Sequence, residues 1–265
     1  MKFAVNIVSL MHTGLQWAGF PGCFFTQPQH LIDAALAIGY DGVQMLPIRG
    51  ATGMEEGVLL WERAWNPVDN LVQALTHQLG AAGMASCIND WVVSPSSRCC
   101  QKVEDLLSGR NDLTQVAHDF GSRVNSLVEL HPELVLGPSE IVEKIQSRHR
   151  KGLVVDTYHL RRENRYGEVN SLLVDGHWEP VIDALAPYIR VVHIHPNNLT
   201  SFLAEPLESV EAEIIRHLKQ AGANLSNTIW VAEYEPPKIA LVDKTTSLSI
   251  AREFLGVMHE IASSL

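Results

Sequence analysis

Four short apolar runs in this chain stop on acids and histidines. Leu153-Val154-Val155 runs into Asp156 and, three residues on, His159. Val124-Asn125-Ser126-Leu127-Val128 leads to Glu129 and His131, Arg190-Val191-Val192 to His193 and His195, and Ile229-Trp230-Val231-Ala232 to Glu233 and Glu235. β-branched runs of this length read as strands buried on both faces, the condition of a parallel sheet covered by helices. Polar groups that follow such strands collect at their C-terminal ends, where α/β folds place their chemistry.

Helical patterns alternate with these strands. Leu31, Ile32, Ala35 and Leu36 form one stripe that Gly39 stops, before a strand at Gly42 to Leu46. Asn66 and Pro67 open a second helix that Gly83 ends, ahead of a strand at Met84 to Asn89. Pro138-Ser139 opens another helix, Trp178 to Tyr188 and Val210 to Ala221 read as helical, and Ile250, Phe254, Met258 and Ile261 mark the last. The reading is an α/β fold, a TIM-type (β/α) barrel, in one domain over residues 1–265. Only seven strands are evident. Residues 90–123, helical in pattern up to Phe120, either hide a degenerate βα unit or leave the barrel one unit short. The connection from Pro47 to Trp65 reads as a lid over the site or as a short surface helix.

Composition narrows the partners. The formal net charge of -10 argues against nucleic acid and anionic membranes, whose binding is driven by cations. No apolar run reaches the roughly 18 residues of a membrane span. Lys2 and the stretch from Phe3 to Met11 read as a first strand rather than a signal peptide, because Asn6 and Ser9 interrupt the apolar run. Cys23, Cys87, Cys99 and Cys100 lack metal-type spacing, and adjacent cysteines pair poorly, so free thiols in a reducing cytoplasm are expected. The expected partner is a small-molecule substrate; a homo-oligomer stays open.

Strand alternation tests whether the polar ends converge. Glu129 and His131 share a face, as do Val154 and Asp156, His193 and His195, and Glu233 and Glu235. His159, three residues from Asp156, joins them only if the chain bends after Thr157. Carboxylates crowded in a low-dielectric mouth repel unless protonated or bound to a cation. Glu129, Asp156, His195 and Glu233 offer three hard oxygens and one borderline nitrogen, a set suited to one divalent ion: Mn, Co, Zn or Mg. The alternative is a set of separate ion pairs or satisfied core polar groups.

Gly39-Tyr40-Asp41-Gly42-Val43, Glu129-Leu130-His131-Pro132, Asp156-Thr157-Tyr158-His159, His193-Ile194-His195 and Glu233-Tyr234-Glu235-Pro236 resemble, in order, strand motifs of the xylose isomerase-like TIM-barrel superfamily. That superfamily includes sugar isomerases, ketose 3-epimerases, inositol-catabolism enzymes and AP endonucleases. The resemblance implies metal ligation by Glu129, Asp156, His195 and Glu233, with His159 and His193 near the substrate. It also implies catalytic proton exchange by Glu129 and Glu233, with Glu235 competing for the last role or binding substrate. The implied function is a metal-dependent isomerase or epimerase acting through an enediolate on a sugar, polyol or sugar-derived substrate. A metal-assisted hydrolase or lyase of endonuclease type, or a non-catalytic ligand-binding barrel, are the alternatives. Gln44 stands where many relatives carry glutamate, and Asn197-Asn198 where an acid is common. Arg161, Arg162 and Arg165 after His159, with Lys238, suggest a grip on an anionic substrate group; pairing with Glu163 and Glu168 is the other reading.

Overall fold

Leu113–Ala117, inside the stretch that reads as helical, is a strand. It supplies the unit that the sequence leaves uncounted. The computed structural model describes residues 1–6, 9, 34–45, 85–89, 113–117, 127–132, 136–148, 151–161, 172–235, 237 and 244–265. The 47–65 connection, the helix at Asn66, and Arg162, Arg165 and Lys238 lie outside them.

The strands are β1 (Lys2–Asn6), β2 (Gly42–Met45), β3 (Ala85–Asn89), β4 (Leu113–Ala117), β5 (Leu127–Glu129), β6 (Gly152–Asp156), β7 (Ile189–Ile194) and β8 (Ile229–Ala232). Their order is β1-β2-β3-β4-β5-β6-β7-β8, and the fold is an α/β barrel of TIM type. Every described pairing is parallel. The helices are α1 (Pro138–Ser147), α2 (Glu179–Leu185), α3 (Leu199–Ala204), α4 (Val210–Gln220) and α5 (Lys244–Ser263), besides helical residues 34–38. Among the described residues no helix is long and apolar enough to cross a membrane.

The chain packs as two compact units. Met1–Lys2, Val116–Ala232 and Gly256–Leu265 form the first. Its β5 to β8 carry buried apolar residues on both faces: Val128, Leu153, Val154, Val155, Val192, Ile194, Trp230 and Val231 are fully buried. That is what helices over a parallel sheet require. Trp230 is accommodated because its Nε1–H donates to Thr228 Oγ1 at 2.9 Å. The helix ends are made as the sequence implies. Glu140 accepts the Gly137 N–H at 2.9 Å before α1, and Ser209 Oγ accepts the Ala212 N–H at 3.1 Å before α4. Gly222, at φ +90°, closes α4: its N–H donates to Lys219 O and that of Ala223 to Leu218 O, a Schellman ending. Helix α3 was not anticipated; its start lies at Asn198, whose side chain accepts the Ser201 N–H at 3.1 Å.

Phe3–Gln115 and Glu233–Leu255 form the second unit. Here β1 and β2 pair Asn6 with Gln44, and β2 and β3 pair Gln44 with Cys87. Gly39, at φ +115°, ends the helix as expected. Tyr40 Oη donates to Ala251 O at 2.8 Å, and the Tyr234 and Phe254 rings stack at 4.9 Å. Tyr234 Oη is buried with no hydrogen-bond partner among the described residues. Burial pushes both tyrosine hydroxyls well above the ordinary range, that of Tyr40 further through its neighbour Tyr234. A raised folded pKa favours folding fully below the unfolded value, about 10, and loses that contribution as pH rises through the folded one. Tyr234→Phe therefore leaves stability at pH 7 equal or higher by about 1 kcal/mol, and delays unfolding above about pH 10. Tyr40→Phe instead costs about 1 kcal/mol through its lost hydrogen bond. Urea titrations of both variants at neutral and alkaline pH check the contrast.

Candidate functional site

The ladder from β5 to β7 sets the levels of the polar side chains. Glu129 lies level with Val154, and Asp156 with His193. The side chains of Glu129, Asp156 and His193 are 4%, 3% and 1% exposed, so three ionisable groups share a space closed to water. His193 Nδ1 lies 3.8 Å from Glu129 Oε1 and 3.9 Å from Asp156 Oδ2.

His159 meets the condition set by its spacing. Residues 157–160 form a turn, the His159 N–H donates to Asp156 O at 3.1 Å, and Nε2 comes to 3.7 Å from both Glu129 Oε1 and Asp156 Oδ2. Glu129, Asp156 and His159 each present one donor atom, all within 4.8 Å of one another. His195 follows β7 directly; its Nδ1 is 3.3 Å from Asp156 Oδ2, and its N–H donates to Thr157 Oγ1 at 2.9 Å. The cross-link ties the end of β7 to the turn after β6.

Asp156 is the common member. Its Oδ1 accepts the Tyr158 N–H at 2.7 Å. Burial alone would raise its pKa, yet the charges of His159 and His195, with hydrogen bonds from His193 and His195, hold it well below the ordinary carboxylate range. It stays ionised wherever the protein is folded at ordinary pH. Two buried carboxylates ringed by three imidazoles form a hard-oxygen, borderline-nitrogen set that fits a divalent ion of the Mn, Co, Zn or Mg kind.

Glu233, the first residue after β8, is half-buried, whereas Glu235 is exposed. Alternation put both on one face; burial now separates them. Arg161 forms an ion pair with Glu211 of α4, 50 residues away; Glu163 and Glu168 lie outside the described residues. Gln44 is fully buried, and neither atom of its amide is hydrogen-bonded among the described residues.

Two neighbours of the site stand outside the expected residue set. His131 packs edge-on to His159 with ring centroids 4.4 Å apart, and Tyr158 stacks on His195 at 4.9 Å and 27°. The signal for His131 is its position two residues from Glu129, on the same strand face. For Tyr158 it is only membership of the Asp-Thr-Tyr-His run.

No protein-family model and no curated protein matches the chain. Solved structures do. The crystal structure of D-psicose 3-epimerase in the presence of D-fructose aligns over 98% of this chain and 99% of that one, at TM-score 0.52 and 12% identity. A xylose isomerase-like TIM barrel/4-hydroxyphenylpyruvate dioxygenase fusion protein aligns over 98% of this chain and 43% of its own, at TM-score 0.52 and 11% identity. At these identities the likeness is one of fold, and it identifies the chain as a TIM-type barrel.

Proposed function

We propose that this chain is a divalent-metal-dependent isomerase or epimerase of the xylose isomerase-like kind, acting on a sugar, polyol or sugar-derived substrate. The observation that carries the proposal is the group of buried Glu129 and Asp156 with half-buried His159, with His193 near both carboxylates and His195 near Asp156. Fold likeness to a D-psicose 3-epimerase supports the substrate class.

In this reading Glu129, Asp156, His195 and Glu233 hold the ion. When bound, it supplies Lewis acidity that polarises a substrate carbonyl and makes the adjacent C–H more acidic. The protein's own groups do the rest. One glutamate carboxylate, Glu129 or Glu233, takes the proton from the carbon beside the carbonyl, leaving an enediolate. The other returns a proton to that carbon, inverting it. His159 and His193 orient substrate hydroxyls, and the burial of Glu129 and Asp156 excludes the water that would weaken these contacts. Glu235, exposed beyond Glu233, contacts the outer part of the substrate, and Arg162 serves a sugar with an anionic group, Arg161 being paired with Glu211.

His159 is a second candidate for the nitrogen ligand, since it lies 3.7 Å from both carboxylates whereas His195 has a described contact with Asp156 alone. Comparing metal affinity of His159→Ala and His195→Ala decides between them.

The test is wash-in of solvent deuterium at carbon, followed by NMR over a panel of ketoses, polyols and their phosphates. Exchange into one of them, reduced about 100- to 10,000-fold by Glu129→Gln, is the expected result. Hydrolysis or cleavage without exchange would favour the hydrolase or lyase reading; binding without turnover would favour a non-catalytic barrel.

A further inference from the structure

Glu211 occupies a position that its helix reserves for apolar residues. In α4 the buried stripe runs Glu211, Ile214, Ile215, Leu218, and an acid opens it. A carboxylate with 5% side-chain exposure needs a counter-charge, and Arg161 supplies it as an ion pair. Guanidinium and carboxylate neutralise one another, so this arginine has a use inside the fold.

The pair leads to the site. The Arg161 guanidinium carbon lies 5.5 Å from the centroid of the Tyr158 ring, within cation–π range. The same ring stacks on the His195 imidazole, 4.9 Å between centroids and 27° between planes. Tyr158 is anchored through its backbone as well, since its N–H donates to Asp156 Oδ1. Helix, ion pair, aromatic ring and imidazole thus form one continuous stack that ends 3.3 Å from the Asp156 carboxylate.

We propose that Arg161, Glu211 and Tyr158 are positioning residues that fix the plane of the His195 imidazole for metal binding. The inference rests on the metal-site reading above. Arg161 is held by a buried acid, Tyr158 is held by Arg161, and the imidazole is confined to one plane beside Asp156. An imidazole free to rotate about χ2 would lose that orientation, and ligand orientation tunes metal affinity.

The experiment is a Co²⁺ titration of the whole chain, followed by the visible absorption of the bound ion, with the melting temperature of each metal-free variant as the control for folding. Tyr158→Leu removes the ring, and the double variant Arg161→Met/Glu211→Leu removes both charges without leaving either one buried alone. Each should weaken Co²⁺ binding about 10- to 100-fold and alter the absorption band. Tyr158→Phe, which keeps the ring, should restore wild-type affinity and spectrum. Wild-type affinity and band in both disruptive variants would overturn the positioning role while leaving the metal site in place. Equal loss in Tyr158→Phe and Tyr158→Leu would also overturn it. A wild-type chain that takes up no Co²⁺ would overturn the metal-site reading, and this inference with it.

Discussion

Asp156→Asn is expected to abolish the proposed divalent-metal binding at any concentration up to at least about 100-fold above the wild-type Kd. Removing a residue that only orients a ligand costs about 10- to 100-fold in affinity, and removing a ligand itself costs more. Asp156 is also the shared partner of three imidazoles, 3.3 Å from His195, 3.7 Å from His159 and 3.9 Å from His193. The amide keeps the shape and can still accept the Tyr158 N–H, so the loss reports charge rather than collapse. Thermal unfolding reads it directly. An ion at 100 times its Kd stabilises the wild type by about 2.7 kcal/mol, a rise of several degrees, whereas the variant's melting temperature stays level on addition of Mn²⁺ or Co²⁺. An equal rise in both proteins would remove Asp156 from the site.

Gly152→Ala is expected to be the most damaging glycine-to-alanine change among the described residues. Gly152 opens β6 at φ +143°, where an L side chain is strained by about 1–3 kcal/mol. An added Cβ would stand 2.4 Å from Tyr188 O and 2.7 Å from Arg190 Cγ. Since the oxygen is backbone, relief requires the lead into β7 to move, at a further cost of about 1–3 kcal/mol. The ladder already shifts register between Leu153 and Val154, and the level of Asp156 with His193 depends on it. The loss should therefore reach about 2–6 kcal/mol and weaken metal binding too. Gly222→Ala is the control: φ +90° but nothing within 4 Å of the added Cβ, so it costs about 1 kcal/mol. Urea midpoints at unchanged slope measure both. Equal losses would mean that the contact with Tyr188 O carries no weight.

The strands of the site were legible because burial on both faces leaves a plain record: Leu153, Val154 and Val155 can be little else. Strand β4 was not. Leu113-Thr114-Gln115-Val116-Ala117 carries two polar residues in five, so no apolar run marked it, although His118 and Asp119 follow it in the sequence as acids and histidines follow the other strands. The turn that brings in His159 showed only as a condition, since spacing along the chain says nothing about a bend after Thr157. Glu233 and Glu235 were indistinguishable by alternation, and it is exposure that parts them. The ion pair of Arg161 with Glu211 was hidden for another reason: Glu211 lies 50 residues away, and the hint was an acid in an apolar stripe. Sequence proximity offered Glu163 and Glu168 as partners, and both lie outside the described residues.

The most direct measurement is the metal content of the purified chain by elemental mass spectrometry, before and after incubation with Mn²⁺, Co²⁺, Zn²⁺ and Mg²⁺ and removal of the excess. About one ion per chain in the wild type is expected, with none in Asp156→Asn and a sharply reduced fraction in Glu129→Gln. No ion in the wild type under any of the four, in a chain that is folded by circular dichroism, would contradict the metal centre and leave the barrel without its proposed chemistry.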